Sequence, residues 1–386
     1  MYILTLKKGE EKRVQTHPWI YANEVAKIEG KDKQGSIAKV LDCSGRLVGY
    51  GMINHLSKII VRLLSRKDEV FDEGWFEDKI RRAKAYRDTL DYGSAYRAVF
   101  AESDGLPGLI VDRYGDYLSV QFLCLGMDVR KDMIVDILIR VFSPLGIYER
   151  SDVSVREKEG LQQTTGLLYG EVPDLVEIEE NGIKMLVDIK HGQKTGYFLD
   201  QKENRANIRR YAKGKRVLDC FCNLGGFGLA AACVANEVTE VDISGVALDV
   251  VNKTASLNGY DNVRTVQADV FEYLRELKKA GEKYDLIVLD PPAFTKSKDT
   301  VQQAVKGYKD INILGLKLLS DGGVLITCSC SQHLTQPLFV GMLNEAAKEA
   351  GVQARMIELR YQSRDHATLL GADEATYLKV AVLGLM

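Results

Sequence analysis

Leu218-Asp219-Cys220-Phe221-Cys222-Asn223-Leu224-Gly225-Gly226-Phe227-Gly228 decides how this chain folds. An apolar run over 217–221 carries an acid near its end, passes into a glycine-rich turn and continues as a helical pattern over 226–235. The same rhythm repeats downstream. Short β-branched or apolar runs at 238–243, 263–267, 286–290 and 324–327 alternate with helical patterns over 245–258, 270–280, 299–319 and 335–350. Strands alternating with helices build a parallel sheet covered on both faces. Two late runs, 355–360 and 376–383, have only a loop between them and read as an antiparallel pair at the end of the sheet. Upstream, Asp200 is placed to cap a helix over 201–211, with Glu203 three residues on reinforcing the start.

In an open α/β sheet, ligands bind beyond the carboxyl ends of the strands. Asp219 introduces the glycine-rich turn, whose glycines let a ligand approach the backbone. Asp242 ends the next strand, 23 residues on, and is placed to accept both ribose hydroxyls. Asp269 ends the third, in position for the exocyclic amine of an adenine. Asp290 ends the fourth, in Asp290-Pro291-Pro292-Ala293-Phe294. Any one of these acids is readily explained as a helix cap. Four at successive strand ends are hard to obtain that way. The turn is not Gly-x-Gly-x-x-Gly and prepares no pyrophosphate site, which argues against a nicotinamide dehydrogenase. The set matches adenosine with an amino-acid tail. The expected cofactor is therefore S-adenosylmethionine.

The fifth strand ends in Thr327-Cys328-Ser329-Cys330-Ser331. Carbon-5 of a pyrimidine is too weakly nucleophilic to accept a methyl group directly. A thiolate adding to carbon-6 makes carbon-5 enamine-like, after which a base removes the carbon-5 proton and the thiol leaves. Cys328 reads as a small buried hydrophobe, and Cys330, one position past the strand end, as the nucleophile. Asp290, one strand away, is placed to hold the pyrimidine edge. Cys-x-Cys, seen here and at Cys220/Cys222, is not zinc spacing, and no metal is expected.

The N-terminal half has a different rhythm. Runs at 2–6, 36–41, 47–53 and 58–64 read as strands of a small barrel, with His17-Pro18-Trp19-Ile20-Tyr21 in a connection. Those aromatics are either core or a base-stacking platform. Residues 1–66 hold 12 Lys/Arg against 6 Asp/Glu, while the whole chain of 386 residues has a net charge of -2. This basic excess suits RNA binding or a solvated face. A helix over 72–90, strands at 100–102, 109–112, 117–123 and 146–150, and a helix over 131–142 follow. A hairpin, 176–179 with 184–189, closes through Asn181-Gly182. The expected boundaries are 1–71, 72–171 and 172–386. Seven cysteines, two pairs of them in Cys-x-Cys, suit a reducing, cytoplasmic protein. No apolar run reaches bilayer length, and the first residues show no secretory pattern.

The run His191-Gly192-Gln193-Lys194-Thr195-Gly196-Tyr197-Phe198-Leu199-Asp200-Gln201, then Arg205, resembles the segment before the catalytic fold in ribosomal RNA large subunit methyltransferase I-type proteins. Leu218–Asn223, Val241-Asp242-Ile243-Ser244, Asn258-Gly259, Asp290–Phe294, Cys328–Ser331 and His17–Tyr21 are similar to the same family. The resemblance implies an RNA-binding PUA barrel, a central α/β domain and a Rossmann-like class I methyltransferase domain. It implies formation of 5-methylcytosine in large-subunit ribosomal RNA, with Cys330 and Asp290 catalytic. It further implies cofactor contacts from Tyr197, Phe198, Asp219, Phe221, Asn223, Gly225, Asp242, Asp269 and Asp290, and substrate contacts from Lys194, Pro291 and Phe294. A homodimer is compatible with it. The wider RNA 5-methylcytosine enzymes carry a second cysteine where this chain has Ala293, so the group assisting product release is not visible. Leu224 and Glu240 also stand where smaller or less charged residues are usual. The rival readings are an exocyclic-amine methyltransferase using Asp-Pro-Pro, a non-catalytic RNA-binding protein and a metabolite methyltransferase.

Overall fold

The computed structural model describes residues 1–295, 298–372 and 375–386, in two units. The first comprises Met1–Ile178, Val187–Leu199 and Arg364–Ala375. It opens with β1 (Tyr2–Leu6), the helical turn α1 (Glu11–Val14), β2 (Trp19–Tyr21), β3 (Val25–Glu29), β4 (Ile37–Leu41), β5 (Leu47–Ile53) and β6 (Ile59–Ser65). These strands form one sheet in the order β2-β6-β5-β4-β1-β3. Alternation along β1 and β4 turns Leu4, Leu6, Ala38 and Val40 inward, against Val14, Ile20, Ile53 and Val61. Trp19–Tyr21, expected in a connection, is instead a strand paired with β6. The strand β3 was not expected either. Its Val-Ala-Lys-Ile-Glu buries no residue fully, so it carries no clean alternation.

The rest of this unit contains α2 (Glu73–Asp88), β7 (Ala95–Phe100), β8 (Leu109–Tyr114), β9 (Tyr117–Phe122), α3 (Leu125–Asp128), α4 (Lys131–Phe142), β10 (Gly146–Ser151) and β11 (Thr164–Gly170). The sheet order is β11-β10-β9-β8-β7. The strand expected over 100–102 ends at Phe100. Ala101 takes a φ of 42°, and 101–104 close a 3-10 turn. The edge strand β11 exposes most of its side chains, which hid it from an apolar pattern. A buried polar cluster joins the two sheets of this unit. Arg62 bridges Glu102 and Glu159, Trp19 Nε1 donates to Glu102, and Asn54 and Ser57 donate to Glu159.

The strands β12 (Val176–Glu180) and β13 (Ile183–Val187) pair through the expected Asn181-Gly182 turn. The second unit comprises Glu179–Leu186, Asp200–Ser363 and Thr376–Met386. Its elements are α5 (Lys202–Ala212), β14 (Arg216–Cys220), α6 (Gly226–Ala232), β15 (Glu237–Asp242), α7 (Gly245–Leu257), β16 (Val263–Gln267), α8 (Val270–Ala280), β17 (Tyr284–Leu289), α9 (Val301–Leu318), β18 (Leu319–Ser329), α10 (Gln336–Ala350), β19 (Ala354–Arg360) and β20 (Lys379–Leu385). The position before α5 is Gln201, which makes no side-chain cap, and Asp200 Oδ2 accepts from Tyr377 Oη at 2.6 Å. The expected cap by Asp200 gives way to this contact.

The seven strands run β16-β15-β14-β17-β18-β20-β19. The first five are parallel, and β20 is antiparallel to both neighbours. From β14 the chain winds outward to β16, returns to β17 beside β14, and winds the other way. That reversal places a crevice at the carboxyl ends of β14 and β17. Leu218, Cys220, Ile287, Leu289 and Leu325 are fully buried between the helices and anchor the strands beneath it. Among the described residues, no helix is long and apolar enough to cross a membrane.

Candidate active site

The turn after β14 is bent by backbone that few side chains adopt. Phe221 has a φ of 61°, Asn223 of 51° and Gly225 of 71°. Asp242 holds it there: its Oδ2 accepts from Asn223 N at 2.9 Å, and its Oδ1 from Ser244 N at 2.9 Å. Asp219 is 1 % exposed and accepts from Gly228 N at 2.8 Å, pinning the start of α6 to β14. Asp269 lies at the end of β16, exposed, where its Oδ1 caps α8 through Glu272 N at 3.1 Å. The helix-cap and strand-end readings of these acids therefore coexist. Each uses an oxygen on the backbone while standing at the crevice end of its strand.

Glu240, on β15, is fully buried against Asp219. A Cβ at Gly228 would collide with its carboxyl, so glycine there makes room for the acid. Among the described residues no N–H or O–H donor reaches Asp219 Oδ1 or either oxygen of Glu240, and the one donor lying against Glu240 is the Cys222 thiol. Two acceptors that face each other without an N–H or O–H donor must hold a proton between them. Burial pushes the Asp219 carboxyl up to about 7, with the charges of Asp290 and Asp242 adding to it. Burial, then the charge of Asp219, pushes Glu240 well above the usual carboxylate range.

Across the switch point, the ends of β17 and β18 carry different chemistry. Asp290 Oδ2 accepts from Gln201 Nε2 at 3.1 Å. Gln201 is buried and is oriented in turn by Asn204 Nδ2, which donates to its Oε1 at 2.7 Å. Arg360 Nε then donates to Asn204 Oδ1 at 2.9 Å. This chain fixes the amide so that its NH₂ faces Asp290. Cys328 is fully buried, and burial pushes its thiol well up, as suits a packed hydrophobe. Cys330 is part-exposed and follows the last residue of β18. A charge on it acts on Tyr308 of α9 and on Lys379 of β20.

Phe221, Phe271, Phe294 and Tyr308 run as an aromatic row beneath these strand ends, with successive ring centroids 6.4, 6.0 and 4.5 Å apart. Pro291 is buried, and the buried Tyr308 hydroxyl lies against Ser329 and the Phe294 backbone. The sequence reading missed Gln201 as a site residue, along with Tyr308 and Lys379. They come from elements remote from the strand-end motifs, and no spacing linked them.

Lys194, Tyr197 and Phe198 belong to the first unit. There Asp112, held by Arg97 through paired 2.8 Å bonds, accepts from Thr195 Oγ1. Tyr114 Oη donates to Tyr197 O at 3.1 Å and accepts from Tyr197 N. Lys194, exposed and with a φ of 55°, sets its Nζ 4.4 Å from the centre of the Phe198 ring. Arg205 of the same sequence motif is spent elsewhere, in a buried double hydrogen bond to Glu180 within the second unit.

The sheet order, the glycine-rich turn and the acids at four successive strand ends define an S-adenosylmethionine-dependent methyltransferase. A family model for S-adenosylmethionine-dependent methyltransferases matches residues 154–379, and one for PUA-like domains matches residues 4–66. The chain is 44% identical over 388 residues to Ribosomal RNA large subunit methyltransferase I of Aeromonas hydrophila subsp. hydrophila, covering 98% of each chain. It is 41% identical over 385 residues to the protein of that name from Shigella dysenteriae serotype 1, covering 97% of each. A solved Streptococcus mutans chain assigned to the SAM-dependent methyltransferases superposes with a TM-score of 0.84 at 24% identity, over 100% of both chains. A second solved chain, assigned to the methyltransferases and complexed with SAH, gives a TM-score of 0.84 at 25% identity, also over 100% of both. The chain belongs to the ribosomal RNA large subunit methyltransferase I family.

Proposed function

We propose that this enzyme methylates carbon-5 of a cytosine in large-subunit ribosomal RNA through a covalent adduct at Cys330. The observation that carries the reading is the position of Cys330, part-exposed one residue beyond β18, at the same end of the sheet as Asp290. The residues present fit the cofactor. The turn over 221–225 runs between Asp219 and Asp242 with positive φ at Phe221, Asn223 and Gly225, and Gly228 leaves room for the buried Glu240 carboxyl behind it. Phe221, Asn223, Gly225, Asp242 and Asp269 would hold the adenosine and the amino-acid tail, with Asp219 acting through the turn it pins. When bound, S-adenosylmethionine supplies a methyl group that is electrophilic because it sits on a sulfonium.

The chain's own residues do the rest. The Cys330 thiolate adds to carbon-6, and the electron pair displaced to carbon-5 makes that carbon able to take the methyl group. Water takes the carbon-5 proton, the carbon–hydrogen bonding pair forms the carbon-5–carbon-6 double bond, and the Cys330–carbon-6 bond breaks with its pair going to sulfur, releasing thiolate and product. Asp290, protonated and oriented by Gln201, donates a hydrogen bond to the pyrimidine edge as negative charge develops there. Pro291 and Phe294 border the base. Lys194, with Tyr197 and Phe198, belongs to a ligand-binding loop, and the basic N-terminal sheet contacts RNA phosphates.

The exocyclic-amine reading needs an aromatic free to stack on the base. Phe294 comes one residue late for that, and its ring packs 4.5 Å from Tyr308. The test is bisulfite mapping of ribosomal RNA from cells carrying Cys330→Ala. One carbon-5 mark is expected to disappear and to return with the wild-type chain. Full marking by the variant would refute the reading.

A further inference from the structure

Lys379 opens β20 directly opposite the end of β18, where it is the register partner of Ser329. It is 4 % exposed. Its Nζ donates to Ser331 O at 2.5 Å and to Tyr377 O at 2.8 Å, and no carboxylate among the described residues is a partner. The side chain thus reaches along the end of β18 to the carbonyl of the residue that follows Cys330. A lysine enclosed this way has lost its water and gained only two neutral acceptors, an arrangement that disfavours its charge unless an anion lies close.

We propose that Lys379 is the positioning residue that holds Cys330 as a thiolate, its ammonium being the counter-ion of the sulfur. The proposal rests on the reading of Cys330 as the nucleophile. Three other groups near the end of β18 among the described residues carry no positive charge. Tyr308 of α9 is kept neutral by burial, Cys328 of β18 stays a thiol for the same reason, and Asp290 after β17 is an acid, neutral or negative but never cationic. Burial lowers the Lys379 ammonium to about 8, and the charge that opposes this is that of Cys330. Lys379 is therefore still cationic at neutral pH, and each charge favours the other.

The test reads the thiol itself. In full-length protein carrying Cys43→Ser and Cys233→Ser, both at exposed positions, iodoacetamide alkylation of Cys330 is followed by peptide mass spectrometry from pH 5 to 10. The expected midpoint lies below that of a free cysteine, about 8.5. Lys379→Met is expected to raise it by a unit or more, slowing alkylation at pH 7 about tenfold, while Lys379→Arg keeps most of the shift. A folded Lys379→Met with an unchanged midpoint overturns the proposal. So does a wild-type midpoint at or above the free value, which decides the matter even if Lys379→Met fails to fold. Full methylation by Cys330→Ala would instead overturn the nucleophile reading, so the two failures are distinguishable.

Discussion

On the β14–β16 side of the switch point, the strand-end acids are bound to nearby backbone. Asp219 takes Gly228 N, Asp242 takes Asn223 N and Ser244 N, and Asp269 takes Glu272 N. On the β17–β18 side, side chains converge from far along the chain. Gln201 precedes α5, Tyr308 lies on α9 and Lys379 on β20, all directed to the ends of β17 and β18. The first half is a rigid cradle built from local contacts. The second is a reactive cluster whose members depend on the packing of the whole sheet. Substitutions in the cradle should therefore act on cofactor affinity and stability, and substitutions in the cluster on turnover.

The largest expected effect is at Asp290. Asp290→Asn should lower kcat by about 10²–10³-fold, with cofactor affinity by calorimetry changed less than about threefold. A variant that lost affinity and kept kcat would erase the distinction between the halves. Asp242→Ala strips two backbone N–H groups of their acceptor and frees the turn. It should weaken cofactor binding about 10–100-fold and leave kcat at saturation within a few-fold. Gln201→Leu leaves Asp290 without its donor, and kcat should fall about tenfold while the melting temperature moves by less than about 3 °C. A large thermal shift without a kinetic one would make Gln201 a packing residue only.

The smallest effect concerns stability. The folded chain raises the carboxyls of Asp219 and Glu240 above their unfolded values. The stability that the shared proton contributes is thus complete below the ordinary carboxylate range and is lost as pH rises through about 7. Glu240→Gln, which keeps the shape and supplies an N–H donor, should flatten that decline. At pH 8 it should be about 1–2 kcal/mol more stable than wild type in urea titrations without ligand. Equal slopes of stability against pH in both proteins would mean that no proton is shared.

The same contrast explains what could be read from the sequence. The cradle was legible because its parts are local: apolar run, acid, turn, helix, repeated at strand after strand. The motif around Cys330 was legible for the same reason. Lys379 was not, because its relation to Cys330 exists only through the antiparallel pairing of β18 with β20. Gln201 was quoted within a motif, yet its role depends on an amide turned by Asn204 and Arg360. Glu240 looked anomalous beside family expectation, and only Gly228 and Asp219 show what accommodates it. In the first unit, β3 and β11 went unseen because neither buries an alternating face. Arg364–Ala375, far along the chain, folds there through Asp365, whose Oδ2 accepts from Arg97 N and whose carbonyl accepts from Arg87.

The central claim is that a carbon–sulfur bond forms at Cys330 during turnover. A ribosomal RNA fragment with 5-fluorocytosine in place of cytosine tests it most directly, because fluorine cannot leave as the carbon-5 proton does and elimination stalls. With S-adenosylmethionine present, the account predicts a denaturation-resistant protein–RNA adduct that peptide mapping places on Cys330 and that Cys330→Ala does not form. Methylation of the unmodified fragment with no adduct on the fluorinated one, or an adduct mapped to another residue, would contradict it.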